Sequence, residues 1–274
     1  MYINISLYSY TMTYQLNFTD LIEAYNTSPE PSFKVSNYFH IYTELFQHLR
    51  GTKCTFIEIG ILDGGALFMW RKWLGDDARI IGIDLNPAAL QWEKHGFEIY
   101  IGDQGDPLFW QELLPKIGQF DALLDDGGHQ SFQQIVTTTE ALKHATTNCI
   151  VVVEDTITSF MKSFANHGDR SFMKFAQGVS DCLLARGQPL WPDDFMTVKN
   201  IESVNEFSKV HSVQFFTGIV SFKIIPQLSN EIVNLKLNMP SKTASDFRYA
   251  GKNNAIANWP NPFYTEQIMI KGGR

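Results

Sequence analysis

Five short apolar runs punctuate the middle of this chain: "CTFIEIG" (Cys54 to Gly60), "ARIIGIDLNP" (Ala78 to Pro87), "FEIYIGDQGDP" (Phe97 to Pro107), "FDALLDDGGH" (Phe120 to His129) and "NCIVVVEDT" (Asn148 to Thr156). Their length, their β-branched content and the Gly, Pro or Asp that ends each of them predict buried strands. Helix-length segments lie between them, among them "LFMWRKWL" after the first run and "FQQIVTTTEALKHA" after the fourth. Short apolar strands alternating with helices predict βαβ units and a parallel sheet covered on both faces. Ahead of this pattern, "NYFHIYTELFQHL" (Asn37 to Leu49) spaces Tyr38, Ile41, Tyr42, Leu45 and Phe46 as one face of an amphipathic helix. Behind it, "KVHSVQFFTGIVSFKII" (Lys209 to Ile225) alternates with a period of two and breaks at Thr217-Gly218, which predicts an antiparallel hairpin.

The expected fold class is therefore α/β: a Rossmann-like, doubly wound, mostly parallel seven-stranded sheet with a C-terminal antiparallel hairpin. Three regions are expected: a helical and aromatic lead over 1–50 packed on the core, the main domain over 51–225, and an extended, Asn-rich and Pro-punctuated tail over 226–274. Thr156 to Phe207 reads as a long irregular region, with "RGQPLWPDDF" as its clearest loop.

Composition narrows the function classes. A formal net charge of −7 with no basic block gives no footprint for nucleic acid or an anionic membrane. No apolar run reaches the ~18 residues of a membrane span, and the first residues lack a signal-peptide pattern, so neither export nor membrane anchoring is expected. Three scattered cysteines, Cys54, Cys149 and Cys182, suit buried thiols in a reducing compartment, and a cytoplasmic location is expected. The expected partner is a small molecule, and homo-oligomer formation stays open.

Chemistry gathers at the strand ends, because every apolar run finishes with a carboxylate and an open parallel sheet binds its ligand outside the carboxyl ends of its strands. The first turn is Glu58-x-Gly60-x-x-x-Gly64-Gly65, not the G-x-G-x-x-G of a pyrophosphate site. An acid two residues before the first glycine suits a ligand with a cationic end and no phosphate, and Asp84 at the next strand end suits a ribose diol. This combination resembles the class I S-adenosylmethionine (SAM) methyltransferases. The resemblance assigns Gly60, Gly64 and Gly65 to the donor pocket, Glu58 to the donor's methionine end, Asp84 to its ribose, and Asp103 and Gln104 to the neighbourhood of its adenine.

The fourth and fifth runs should emerge side by side, since adjacent strands lie ~4.8 Å apart. Asp126, Glu154 and Asp155 can then share one cation, and three hard oxygen ligands with no cysteine favour Mg²⁺, Mn²⁺ or Ca²⁺ over zinc. Asp126 counts on the donor side as well as the metal side. His129 follows Asp126 across Gly127-Gly128, a pair able to fold the imidazole back over the cation. Asp125 should point the opposite way along its strand.

Taken together, "KVSNYFHIYTELF", "FIEIGILDGGALFMWRKWL", "IIGIDLNP", "IGDQGDPLFW", "FDALLDDGGH", "VVVEDTITSF" and "HSVQFFTGIVSFK" resemble the metal-dependent sugar O-methyltransferases of macrolide biosynthesis and the related cephalosporin hydroxylase-like proteins, from about Lys34 to Ile225. The resemblance implies that Asp126, Glu154 and Asp155 hold Mg²⁺ (or Mn²⁺), that His129 is the general base, and that the acceptor is a sugar hydroxyl. Ala66 and Gly128 stand where that family usually has serine, and the Lys34 segment lacks its usual preceding Asp and the histidine near Asn37. These departures touch donor and acceptor contacts. A catechol-type O-methyltransferase and a non-catalytic SAM-binding protein are the alternatives. A hydroxylase would need an iron-binding facial triad, for which the sequence offers no convincing set of residues.

Overall fold

All five apolar runs become strands in the structure, a computed structural model that describes residues 18–164, 170–186 and 207–229. They are β1 (Thr55–Ile59), β2 (Arg79–Asp84), β3 (Glu98–Ile101), β4 (Ala122–Asp125) and β5 (Cys149–Val153), and the hairpin adds β6 (Val210–Phe215) and β7 (Val220–Ile224). The seven strands are ordered β3-β2-β1-β4-β5-β7-β6. β1 to β5 pair in parallel, and β7 lies antiparallel to both β5 and β6. Strand order reverses between β1 and β4, which opens a crevice at their carboxyl ends.

The strands read as continuous apolar runs because both faces of the sheet are buried. Phe56, Ile80, Leu124 and Val152 pack into one core layer, while Ile57, Ile81, Leu123 and Val151 pack into the other. The first layer is closed by α1 (Thr19–Asn26), α2 (Tyr38–Phe46) and α3 (Gly65–Leu74). Its centre is aromatic, with Trp70 meeting Tyr42, Phe46 and Phe56 at ring-centroid distances of 5.4, 5.8 and 4.7 Å. The second layer is closed by α4 (Pro107–Ile117), α5 (Ser131–His144) and α6 (Phe172–Ala185). Asp106 caps α4 by accepting from the Leu108 amide, with Pro107 in the first turn where its missing N–H costs nothing.

The predicted helix at Asn37 to Leu49 is α2 plus a 3₁₀ turn, Gln47–Leu49, and it buries the expected stripe together with Phe39. The region read as irregular after β5 departs from expectation. It contains the 14-residue α6, capped by Ser171 and burying Phe172, Ala176, Val179 and Cys182. Those positions follow a helical period, but Gly178 and the polar residues between them obscured it. All three cysteines are buried. Among the described residues, no helix is long and apolar enough to cross a membrane. Of the expected tail only a helical turn, Pro226–Ser229, is described; the rest of it, and the lead before Phe18, lie outside the described residues.

Candidate active site

The carboxyl ends of the parallel strands face a cleft of about 590 Å³. Gly60, Asp84, Asp103, Gln104, Asp126, His129, Glu154 and Asp155 all line it, as do Phe33, Lys34 and Val35 from the segment preceding α2. Glu58, Gly64 and Gly65 do not reach the cleft. The Glu58 carboxylate is fully buried behind Lys34. At Gly64 (φ +79°) a Cβ would strike the ring of Trp92, and at Gly65 it would strike the carbonyls of Glu30 and Pro31. What these two glycines make room for is protein. Gly60 (φ +81°) does border the cleft, and a Cβ there would collide with the Asp126 backbone, so the β1 and β4 turns touch main chain to main chain.

On the β2–β3 side, the Asp84 carboxylate accepts from the amides of Ile61 (3.0 Å), Leu62 (3.2 Å) and Asn86 (2.8 Å), tying the first turn to the end of β2. Asp103 accepts from the Gly105 amide at 2.7 Å. Gln104 is a clasp: its amide nitrogen donates to Asp125 at 2.8 Å, its side-chain oxygen accepts from the Gly128 amide at 2.7 Å, and its carbonyl accepts from the Trp110 indole at 2.8 Å. It therefore fixes the Gly127-Gly128 turn that presents His129.

Asp125 points into the core, as strand alternation requires, and is fully buried with one carboxylate oxygen lacking a partner among the described residues. Burial pushes its pKa from 3.8 to about 6, against the opposing pull of the Gln104 and Gly127 hydrogen bonds. A carboxyl whose folded pKa lies above its unfolded one weakens the fold as pH rises between the two values, because the unfolded chain gives up its proton first. At about 1.4 kcal/mol per unit the loss is on the order of 3 kcal/mol, complete above roughly pH 6. Asp125→Asn should therefore gain stability relative to wild type as pH climbs from 4 to 6, read by urea unfolding at each pH. A difference that stays flat across that window would remove the burial argument.

On the β4–β5 side, donor atoms of Asp126, His129 and Asp155 all lie within 4.8 Å of one another. His129 Nε2 is 3.6 Å from Asp155 Oδ2 and 3.9 Å from Asp126 Oδ1. Two of the three residues are backbone outliers: His129 has φ 56° and Asp155 has φ 50°. Non-glycine residues held there cost on the order of 1–3 kcal/mol each, a strain that concentrates at functional sites. The strained turns are tied down from outside, since Thr158 donates to the His129 carbonyl at 2.8 Å and Tyr38 donates to Asp155 at 2.7 Å. Burial and the bond to Asp155 raise the Tyr38 hydroxyl pKa, so it stays a donor.

Glu154 is placed differently from Asp126 and Asp155. It lines the cleft but is only 2% exposed, accepting from Tyr42 at 2.6 Å and from Lys34 at 3.4 Å. Burial, opposed by the Lys34 charge and reinforced by Asp126, raises its pKa well above the carboxylate range. Lys34 itself was not among the residues singled out as site residues. Its ammonium donates to Glu58 at 3.1 Å and to Asp126 at 2.6 Å besides Glu154. Burial alone would lower its pKa, but the charges of Glu154, Glu58 and Asp126 outweigh that and hold it well above the usual lysine value. A sequence signal was available only for its neighbours: Tyr38 and Tyr42 are spaced by four on one face of α2, whereas Lys34 lies in the non-helical segment before that helix and has no periodic signal.

No family model matches the chain. It is 26% identical over 176 residues to the 8-demethyl-8-alpha-L-rhamnosyl tetracenomycin-C 2'-O-methyltransferase of Streptomyces olivaceus, covering 58% of this chain and 46% of that protein. It is 29% identical over 136 residues to the demethylmacrocin O-methyltransferase of Streptomyces fradiae, covering 47% and 34% respectively. The chain thus spans less than half the length of these curated relatives. Among solved structures, the MycE methyltransferase of the mycinamycin pathway, in complex with Mg, SAH and mycinamycin VI, superposes with a TM-score of 0.63 at 17% identity, over 76% of this chain and 53% of that one. In sequence the chain is similar to O-methyltransferases, one of them a rhamnosyl tetracenomycin-C 2'-O-methyltransferase, and its fold is that of the class I SAM-dependent methyltransferases.

Proposed function

We propose that this chain transfers a methyl group from SAM to a hydroxyl of a sugar or glycosylated small molecule, assisted by a divalent cation, Mg²⁺ or Mn²⁺, with His129 as general base. The observation that carries this reading is the convergence of Asp126, His129 and Asp155 in one cleft with Gly60, Asp84 and Asp103. The donor set fits a hard cation: two partly exposed carboxylates face each other across an imidazole, with Glu154 as the further carboxylate on the same rim. The donor's place is the β1–β2–β3 side, where Asp84 and Asp103 supply acceptors for a ribose and its neighbourhood and Gly60 lets the main chain come close. When bound, SAM supplies a methyl group already activated on a sulfonium, and the cation supplies the positive charge that acidifies a coordinated hydroxyl.

His129 Nε2 takes the hydroxyl proton as the oxygen forms its bond to the methyl carbon. The donor would give up the methyl carbon in exchange for this new bond and would keep the carbon–sulfur electron pair, leaving as a neutral thioether. Asp155, fixed by Tyr38, and Asp126 lie 3.6 and 3.9 Å from the imidazole Nε2. Alignment within ~3–3.5 Å of the methyl carbon is the enzyme's main contribution, since the leaving group needs no further activation.

The test combines calorimetry with S-adenosylhomocysteine and methyl-transfer assays on mixed glycosides and catechols, each with and without EDTA. Binding of S-adenosylhomocysteine and cation-dependent methylation of a glycoside are expected. Turnover of catechols alone would move the acceptor to the aromatic class, full activity in EDTA would remove the cation, and donor binding without any turnover would leave a SAM-binding protein.

A further inference from the structure

The acid cluster contains a cation of its own. Four carboxylates, Glu58, Asp126, Glu154 and Asp155, stand at the ends of three neighbouring strands, and the ammonium of Lys34, with only 1% of its side chain exposed, is paired with three of them. All three of its N–H bonds are engaged, by residues 24, 92 and 120 positions away in sequence. The lysine is also held in place from behind. Its segment is stitched to the first turn by Ser28 donating to the Gly65 carbonyl (2.9 Å) and by the Gly65 amide donating to Pro31 (3.1 Å), and Tyr25 donates to Ser32 at 2.8 Å.

Asp126 is the shared member of the two halves of the site. Its Oδ2 accepts from Lys34 while its Oδ1 lies on the His129 side. Any cation seated by Asp126 and Asp155 thus has an ammonium bound to the other oxygen of the same carboxylate. Glu154 is the second contested ligand, because Lys34 and Tyr42 share one of its oxygens, Oε1. Asp155 is the one acid of the four that Lys34 does not touch; its partner is Tyr38.

Building on the proposed metal dependence, we infer that Lys34 is a resident counter-ion that competes with the divalent cation for Asp126 and Glu154. It has two effects of opposite sign. It neutralises the cluster so that the fold tolerates these acids with no metal bound, and it weakens metal binding by repulsion and by occupying ligand oxygens. Lys34 is a positioning residue in this account, acting through the carboxylates and not on the acceptor.

The experiment measures Mn²⁺ affinity by calorimetry and thermal midpoint with and without Mn²⁺, for wild type and Lys34→Met. Loss of the ammonium should lower the metal-free midpoint, raise Mn²⁺ affinity at least about tenfold, and enlarge the midpoint gain on adding Mn²⁺. Lys34→Met/Glu58→Gln removes the carboxylate that the single variant strands in the core, so it keeps the test available where Lys34→Met aggregates, and it should shift Mn²⁺ affinity in the same direction. Equal or weaker Mn²⁺ affinity in the folded variants overturns the counter-ion role while leaving the proposed metal in place. Loss of S-adenosylhomocysteine binding with Mn²⁺ affinity unchanged also overturns it, by making Lys34 a donor ligand. No Mn²⁺ binding to wild type or variant removes the metal and this inference together.

Discussion

Asp126→Ala is expected to lose activity by on the order of 10³-fold or more while still binding S-adenosylhomocysteine. The effect should be the largest of any single acid, because Asp126 is, among the described residues, the only carboxylate that serves both halves of the cluster: one oxygen toward His129 and Asp155, the other on Lys34. Charge stabilisation by a bound cation is worth several kcal/mol, and each 1.4 kcal/mol is a factor of about ten in rate. The donor side should survive, since the contact between Asp126 and Gly60 is made by backbone and an alanine keeps it. Asp155→Ala and Glu154→Ala should also lose most activity, without adding to the Asp126 effect, as expected of groups that act as a unit. EDTA treatment of the wild type should reproduce the Asp126→Ala rate and be reversed by Mg²⁺ or Mn²⁺. An Asp126→Ala enzyme retaining near wild-type kcat would take the carboxylate out of the mechanism.

The second large effect is expected at His129. A general base contributes ~10²–10⁴-fold, so His129→Ala should lower kcat by about that factor and leave Mn²⁺ affinity nearly unchanged. The geometry sharpens the alternative, because Nε2 faces both Asp126 and Asp155 as a third metal ligand would. Hard cations prefer oxygen, and Mn²⁺ accepts imidazole more readily than Mg²⁺ does, which makes Mn²⁺ the stricter probe. If His129→Ala weakens Mn²⁺ in proportion to the lost rate, and saturating metal restores the rate, the imidazole is a ligand and the base lies elsewhere. His129→Asn is the companion variant. Asparagine tolerates the left-handed backbone that position 129 adopts, so it separates loss of the imidazole from relaxation of the turn.

Both predictions rest on residues visible from the sequence, and the reason is local. Parallel strands buried on two faces leave unbroken apolar runs, so β1 to β5 could be found by eye, and the hydrophilic residues that close each run had to lie near the carboxyl edge, with Glu58 and Asp125, still within their strands, turned into the protein. Asp84, Asp103, Asp126, Glu154 and Asp155 all reach the cleft for that reason. The amphipathic stripe of α2 was equally plain. α6 was not, because its buried positions are small or separated by polar residues, and burial against β6 and β7 decides it more than propensity does.

Spacing could not say what the side chains meet. Gly64 and Gly65 belong to a glycine motif, yet the bulk they avoid is the Trp92 ring, brought there by the segment after β2, and the Glu30–Pro31 backbone, brought there when the lead folds onto the first turn. Glu58 lies one residue before the end of β1, and the folding of the lead places Lys34 between it and the cleft. Side-chain identity and period two along a strand are properties of the chain, and they were enough to name the sheet and most of the carboxylates on its rim. Which carboxylates stay free for a ligand is a property of long-range packing, because one ammonium 92 and 120 residues distant decides how Asp126 and Glu154 are shared.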